Sequence, residues 1–318
     1  MAPLTRRRLI GLAGSTVLAG CASPALVTRD DKRDPFEGGI GGTGIVGVLT
    51  DFGSVQVNGL RIEIGDMTRV VTALGPVGAE ALAAGQVLTI MATRSRDRLV
   101  ARHVRIEFPL VGVLAQSDGG LSVNSVSVRI EPGAVRAGAL GARVAVSGLW
   151  TTDAVVASRI DPAPFPFDMV SGDVARGGSA ALRVGSVPVE PQGGQTFPNS
   201  GAYVVATGQF DAARLRVERV ATGRFVTGAQ NLRQLAVEGY LRRVAAAPGF
   251  RIAGLGHSFD EALRVSDLAA RRAIYVGPYD GLFLARAGYT VPESVTERRR
   301  LLGEGYDGPL GDRAVPTR

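Results

Sequence analysis

Between residues 44 and 290 apolar and polar side chains alternate with the two-residue period of half-buried β-strands. The clearest stretch places Val55, Val57, Leu60, Ile62 and Ile64 around Asn58-Gly59. A two-residue hairpin turn requires positive φ at both positions, which Asn and Gly tolerate. It also sets Val57 opposite Leu60, so all five apolar residues share one face. The spacing recurs at Leu121, Val123, Asn124-Ser125, Val126, Val128 and Ile130, and at Leu182, Val184, Gly185-Ser186, Val187 and Val189. A fourth copy reads Phe250, Ile252, Ala253-Gly254, Leu255, His257 and Phe259. A strand bearing a glycine precedes each hairpin, at Gly47, Gly112, Gly172 and Gly239, and a second β pair follows, ending at residues 99–104, 155–160, 215–220 and 282–287.

Each unit therefore predicts three strands, a connector and a closing pair. The connector at 77–85 reads as a short helix ended by Gly85, and 261–272 reads as another. This order predicts a mainly β protein of tandem small OB-like barrels, which hide their edges by closing; a flat two-layer β-roll has the same pattern. The expected boundaries are 44–108, 109–163, 164–231 and a divergent 232–290, with the proline-rich stretch from Asp161 to Phe167 as a semi-rigid spacer.

The two ends break the alternation. Arg6, Arg7 and Arg8 precede an apolar stretch, residues 9–18, too short to span a bilayer stably, and small residues follow. Residues 1–20 thus read as an export signal. Leu18-Ala19-Gly20-Cys21 resembles the lipobox of bacterial lipoproteins, which implies cleavage before Cys21, lipid on its thiol and membrane anchoring. The segment from Thr5 to Ile10 resembles the twin-arginine export motif through Arg6 and Arg7, although any export signal carries positive charge here. Ala22 and Ser23 follow the cysteine where an inner-membrane retention Asp would stand, which favours the outer membrane.

Cys21 is the only cysteine, so once lipidated it leaves no disulfide and stability must come from packed cores. Loss of residues 1–20 removes three arginines and no acid, taking the net charge from +7 to +4. Lys32 is the only lysine in an arginine-rich chain, so the basic balance reflects composition more than an anionic partner. Residues 21–43 read as the lipidated cysteine and a flexible tether reaching about 26 Å. Residues 291–318, with Arg298, Arg299 and Arg300, read as a mostly disordered tail opening on a short helical turn.

The first unit also resembles a known family. Gly44-Ile45-Val46-Gly47 with Asp51-Phe52-Gly53-Ser54-Val55-Gln56-Val57-Asn58-Gly59 is similar to the opening of the bacterial domain of unknown function 5666. The match covers about residues 44–107 and is degenerate afterwards. It implies β-barrel repeats in exported proteins and lipoproteins, and no catalytic residues.

Chemistry is sparse. Gly39, Gly41 and Gly44 fit the spacing of a dinucleotide fingerprint, but that motif works only between a strand and a helix, and here a tether precedes a strand. No cofactor and no metal site is expected. His103 aligns with Arg159, Arg219 and Arg286 and reads as an outward basic residue; His257 takes an inward position and needs a hydrogen-bond partner. Arg94, Arg96, Arg98, Arg102 and Arg105 crowd one hairpin and read as a solvated face. The expectation is a non-enzymatic envelope lipoprotein, held to the membrane through Cys21, that presents barrel faces and the loop from Phe197 to Gly201 to a protein or glycan. Its rival is an envelope hydrolase with two facing carboxylates in a deep pocket between modules. OB-type oligonucleotide binding is disfavoured by the few aromatics, so nucleic acid is not an expected partner.

Overall fold

The structure is a computed structural model that describes residues 42–51, 55–95, 98–117, 119–163, 165–176, 181–211, 213–225, 229–243, 250–252 and 271–303. The first unit contains β1 (Gly42–Asp51), β2 (Val55–Val57), β3 (Leu60–Glu63), β4 (Arg69–Thr72), β5 (Gly75–Val77), β6 (Val87–Ser95) and β7 (Arg98–Glu107). The second contains β8 (Leu110–Ser117), β9 (Gly120–Val123), β10 (Val126–Arg136), β11 (Arg143–Trp150) and β12 (Ala154–Pro162). β13 (Asp168–Arg176), β14 (Leu182–Val184), β15 (Val187–Pro191), β16 (Tyr203–Phe210) and β17 (Leu215–Thr222) form the third. The fourth has β18 (Leu232–Arg243), β19 (Phe250–Ile252), β20 (Arg272–Pro278) and β21 (Ala287–Thr290), followed by helix α1 (Val295–Gly303).

The protein is mainly β and contains closed five-strand pairing. In the first unit β1 pairs antiparallel with β2 and β6, β2 with β3, and β6 with β7, while β3 runs parallel to β7 with Ile62 opposite Leu99. The same circuit links β8, β9, β10, β12 and β11. It also links β13, β14, β15, β17 and β16. A ring satisfies the backbone groups that an open edge would leave free. Val55, Val57, Leu60 and Ile62 point into the first core as the alternation requires. The turns take the expected conformation, with φ of 58° and 76° at Asn58 and Gly59 and 51° and 62° at Asn124 and Ser125.

The units join in pairs through their first strands. β8 pairs antiparallel with β13, and β1 runs parallel to β18 with Gly42 opposite Leu232 and Val46 opposite Val237. A buried asparagine fastens each joint. Asn58 Nδ2 donates to the carbonyls of Val46 (3.0 Å) and Ala236 (3.1 Å), one on each of the joined strands. Asn124 repeats this toward Val111 (3.0 Å) and Met169 (3.2 Å). The strand glycines make the room: a Cβ on Gly47 or Gly112 would sit 2.1 Å from the asparagine Oδ1. In the third unit Gly185 stands at the turn, and the Trp150 indole donates instead to Ser171 O at 2.7 Å.

Several sequence expectations need correction. β1 begins at Gly42, inside the expected tether, because β6 and β18 pair with it there. The 77–85 connector is a 3-10 turn at Ala79–Ala81, and an unforeseen hairpin, β4 and β5, precedes it. Arg272, expected at the end of a helix, starts β20; the closing strand of the fourth unit is Ala287–Thr290, not 282–287. Residues around the proline-rich stretch are pinned: the Arg143 guanidinium donates to Phe165 O, Phe167 O and Asp168 Oδ1. The expected disordered tail carries α1, whose Arg298 is fully buried. Cys21, Leu18, Ala19, Gly20, Arg6, Arg7, Arg96, His257 and residues 304–318 lie outside the described residues.

Candidate functional site

The site begins with an irregularity in β7. Ala92 faces Ala101 and Met91 faces His103, so Arg102 is one residue more than the partner strand can match. Such a bulge re-aims side chains. Ala101 and Val104 both turn into the core, and Arg102 and His103 project together from the other face, followed by Arg105 and Glu107. β4 runs parallel along the free side of β7, placing Arg69 opposite His103 and Val71 opposite Arg105.

These residues form one wall of a cleft of about 1470 Å³. Met91 and Thr93 of β6 and Leu232 and Arg233 of β18 extend it, and Phe108, just after β7, and Met169, Val205 and Ala221 of the third unit close it. Its lining is largely apolar. Four guanidiniums (Arg69, Arg102, Arg105 and Arg233) stand against one carboxylate, Glu107. The single carboxylate is already neutralised. Glu107 Oε1 accepts from Thr89 Oγ1 (2.7 Å) and Arg105 Nε (2.8 Å), and Oε2 accepts from the Tyr203 hydroxyl (3.0 Å). Arg224 lies 3.6 Å from Oε1, with its guanidinium 4.1 Å above the Tyr203 ring centre. Burial alone would raise the Glu107 carboxyl, but Arg105, Arg224 and the Thr89 hydroxyl outweigh it and hold it below the usual range. Burial pushes the Tyr203 phenol up to about 12, keeping it a donor.

His103 differs from its neighbours. Burial first, then the charges of Arg105 and Arg69, lower its pKa, so the ring is neutral at pH 7. Its Nδ1 is buried without a hydrogen-bond partner. The expectation of an outward basic residue is thus corrected to a half-buried neutral imidazole in the cleft wall. The solvated-face reading of the arginines is corrected for Arg105, whose side chain is 11% exposed and paired with Glu107.

A second polar cluster is closed to ligands. Glu131 of β10, Glu238 of β18, Arg272 of β20 and Arg298 of α1 are buried together. Arg272 pairs with Glu131 and, at 2.7 Å, with Glu238; Arg298 pairs with Glu131 at 2.8 Å. Glu238 Oε2 also accepts from Val48 N at 2.7 Å. Two acids and two bases balance, and the cluster clamps α1 to the barrels. It offers no accessible carboxylate pair, and among the described residues the cleft lining offers only Glu107.

The loop from Phe197 to Gly201 packs away from the cleft: Gly201 N donates to Val174 O at 2.7 Å, and the Arg251 guanidinium covers Gly201. Among the described residues no group of three His, Cys, Asp or Glu side chains could hold a metal ion, and no helix is long and apolar enough to cross a membrane. No family model, curated protein or solved structure matches the chain.

Sequence reading missed the cleft because it joins residues from the first, third and fourth units. One local signal existed. Arg102 and His103 stand back to back between inward Ala101 and Val104, a three-residue step where a regular strand has two.

Proposed function

We propose that the protein is a membrane-anchored cell-envelope lipoprotein whose barrel units form a non-enzymatic binding module, with the cleft as its site for an amphipathic anion. The observation that carries this is the cleft: four guanidiniums above an apolar lining, with its only carboxylate fully paired. That combination attracts negative charge and rewards apolar contact, and among the described residues the lining brings no second carboxylate beside Glu107. The units are read as OB-like barrels. The support is the circuit of the three rings, in which the first strand pairs with the second and fourth and the third runs parallel to the fifth. Anchoring rests on the likeness of Leu18-Ala19-Gly20-Cys21 to a lipobox, and the family likeness of residues 44–107 agrees with an exported barrel protein.

The test of the anchor is metabolic labelling with a fatty acid in a bacterial host, beside a Cys21→Ser variant. The expected result is a labelled protein in the membrane fraction and an unlabelled, released variant. Equal membrane retention of the two without label on the parent protein would refute the anchor. Oligonucleotide binding is disfavoured because, among the described residues, Phe108 is the only Phe, Tyr or Trp in the cleft lining, too few for a stacking platform.

A further inference from the structure

The geometry points to one acidic diacyl phospholipid molecule as the occupant of the cleft, its phosphate at Arg69, Arg102 and His103 and its chains along the apolar lining. This rests on the reading of the cleft as a ligand site.

The headgroup assignment comes from three side chains on adjacent strand positions. Arg69 faces His103 across the β4–β7 pair, and the bulge sets Arg102 beside His103 on the same face. Arg69 has no ion pair among the described residues, and Arg102 is engaged only by Thr93 Oγ1 at 3.2 Å. The buried His103 Nδ1 lacks a partner. Two guanidiniums with one neutral imidazole N–H match the acceptor oxygens of a phosphodiester, which carries one negative charge.

The size and character of the lining then choose among anions. At about 1470 Å³ the cleft exceeds the roughly 300–1,000 Å³ that suits a drug-sized ligand, so it has room for two acyl chains. Met91, Ile106, Phe108, Met169, Val205 and Leu232 give those chains apolar contact. A glycan would meet few hydrogen-bond partners on such a surface. An extended peptide would need a strand edge, and the edge flanking the cleft, β5, is three residues long with Pro76 at its centre.

The probe is a vesicle of equimolar phosphatidylglycerol and phosphatidylcholine. The full-length chain carrying Cys21→Ser, which has no lipid of its own, is incubated with these vesicles and re-isolated, and retained lipid is counted by native mass spectrometry. The expected result is one phospholipid per chain, phosphatidylglycerol over phosphatidylcholine by at least ten-fold. Arg69→Ala with Arg102→Ala should lower retention at least ten-fold without moving the thermal midpoint, and Val205→Trp should exclude the lipid by filling the lining. Equal retention of both lipids, undiminished retention by the double arginine variant, or vesicle association without extracted lipid would each overturn the assignment. Binding of a short acidic peptide that the arginine variant abolishes, with no lipid retained, would overturn the phospholipid while leaving the cleft as a ligand site. Loss of both would overturn the two readings together.

Discussion

Replacement of Asn124 tests the joint between the second and third units most directly. Its side chain is 6% exposed, its φ is 51°, and its amide donates to Val111 O and Met169 O. Asn124→Ala removes both bonds and forces a Cβ-bearing residue without a local hydrogen bond into the left-handed region. The bonds contribute about 1 kcal/mol each, and the backbone strain adds about 1 kcal/mol, for a total of about 3 kcal/mol. Asn124→Gly removes the bonds without the strain, so its loss should be about 2 kcal/mol. Trp150, the only tryptophan, sits buried at this joint and reports its unfolding by fluorescence during urea denaturation. With a slope of about 2 kcal/mol per molar, the alanine variant should shift the midpoint by about 1.5 M and the glycine variant by about 1 M. A glycine variant as stable as the parent would refute the contribution of the amide bonds. Equal losses in the two variants would refute the backbone argument.

Three further outcomes are expected. Glu131→Gln leaves Arg272 and Arg298 sharing one carboxylate in a sealed site, which should cost about 3–5 kcal/mol and speed hydrogen exchange in α1 well beyond that in β6; unchanged exchange in α1 would contradict the clamp. Glu107 has a folded pKa below its ordinary 4.5, so the unfolded chain takes up the proton first. Its stabilisation is complete above about pH 4.5 and is lost as pH falls through the folded value, and Glu107→Gln should flatten the fall in stability across that acid range. The His103 imidazole should titrate by NMR below 6.5, and Arg69→Ala should move the midpoint only part of the way back, because burial is the larger cause.

Local structure was legible in the sequence wherever a short-range rule decides it. The hairpin at Asn58-Gly59 and its inward face follow from turn chemistry and a two-residue period, and Asn124-Ser125 follows the same rule. What the alternation leaves unread is pairing at a distance: Gly42 of β1 meets Leu232 of β18, 190 residues further on, and the parallel register of Ile45 with Ala236 has no signature in either segment. The fourth unit departs furthest from the shared spacing, because its closing strand pairs Ala287 with Val276 and Thr290 with Ala273 instead of lying at 282–287. Charged residues misled for a different reason. Arg298 reads as part of a solvated tail because the carboxylates that bury it, Glu131 and Glu238, come from other units, and Arg105 reads as solvated because Tyr203 and Arg224, which close over its partner Glu107, lie far along the chain.

The burial of Arg298 fixes when the molecule can finish folding. The helix that carries it locks onto strands of the second and fourth units, and β18 completes the side of β1. A chain still emerging from the ribosome has made β1 long before either partner exists. The first ring can close once residue 107 is available, whereas the seam between β1 and β18 waits for residue 232 and the clamp waits for residue 298. On the export reading proposed above, a route that threads the chain unfolded would deliver β1 and its distant partners together, whereas a route for folded cargo would have to hold it until residue 298 is in place.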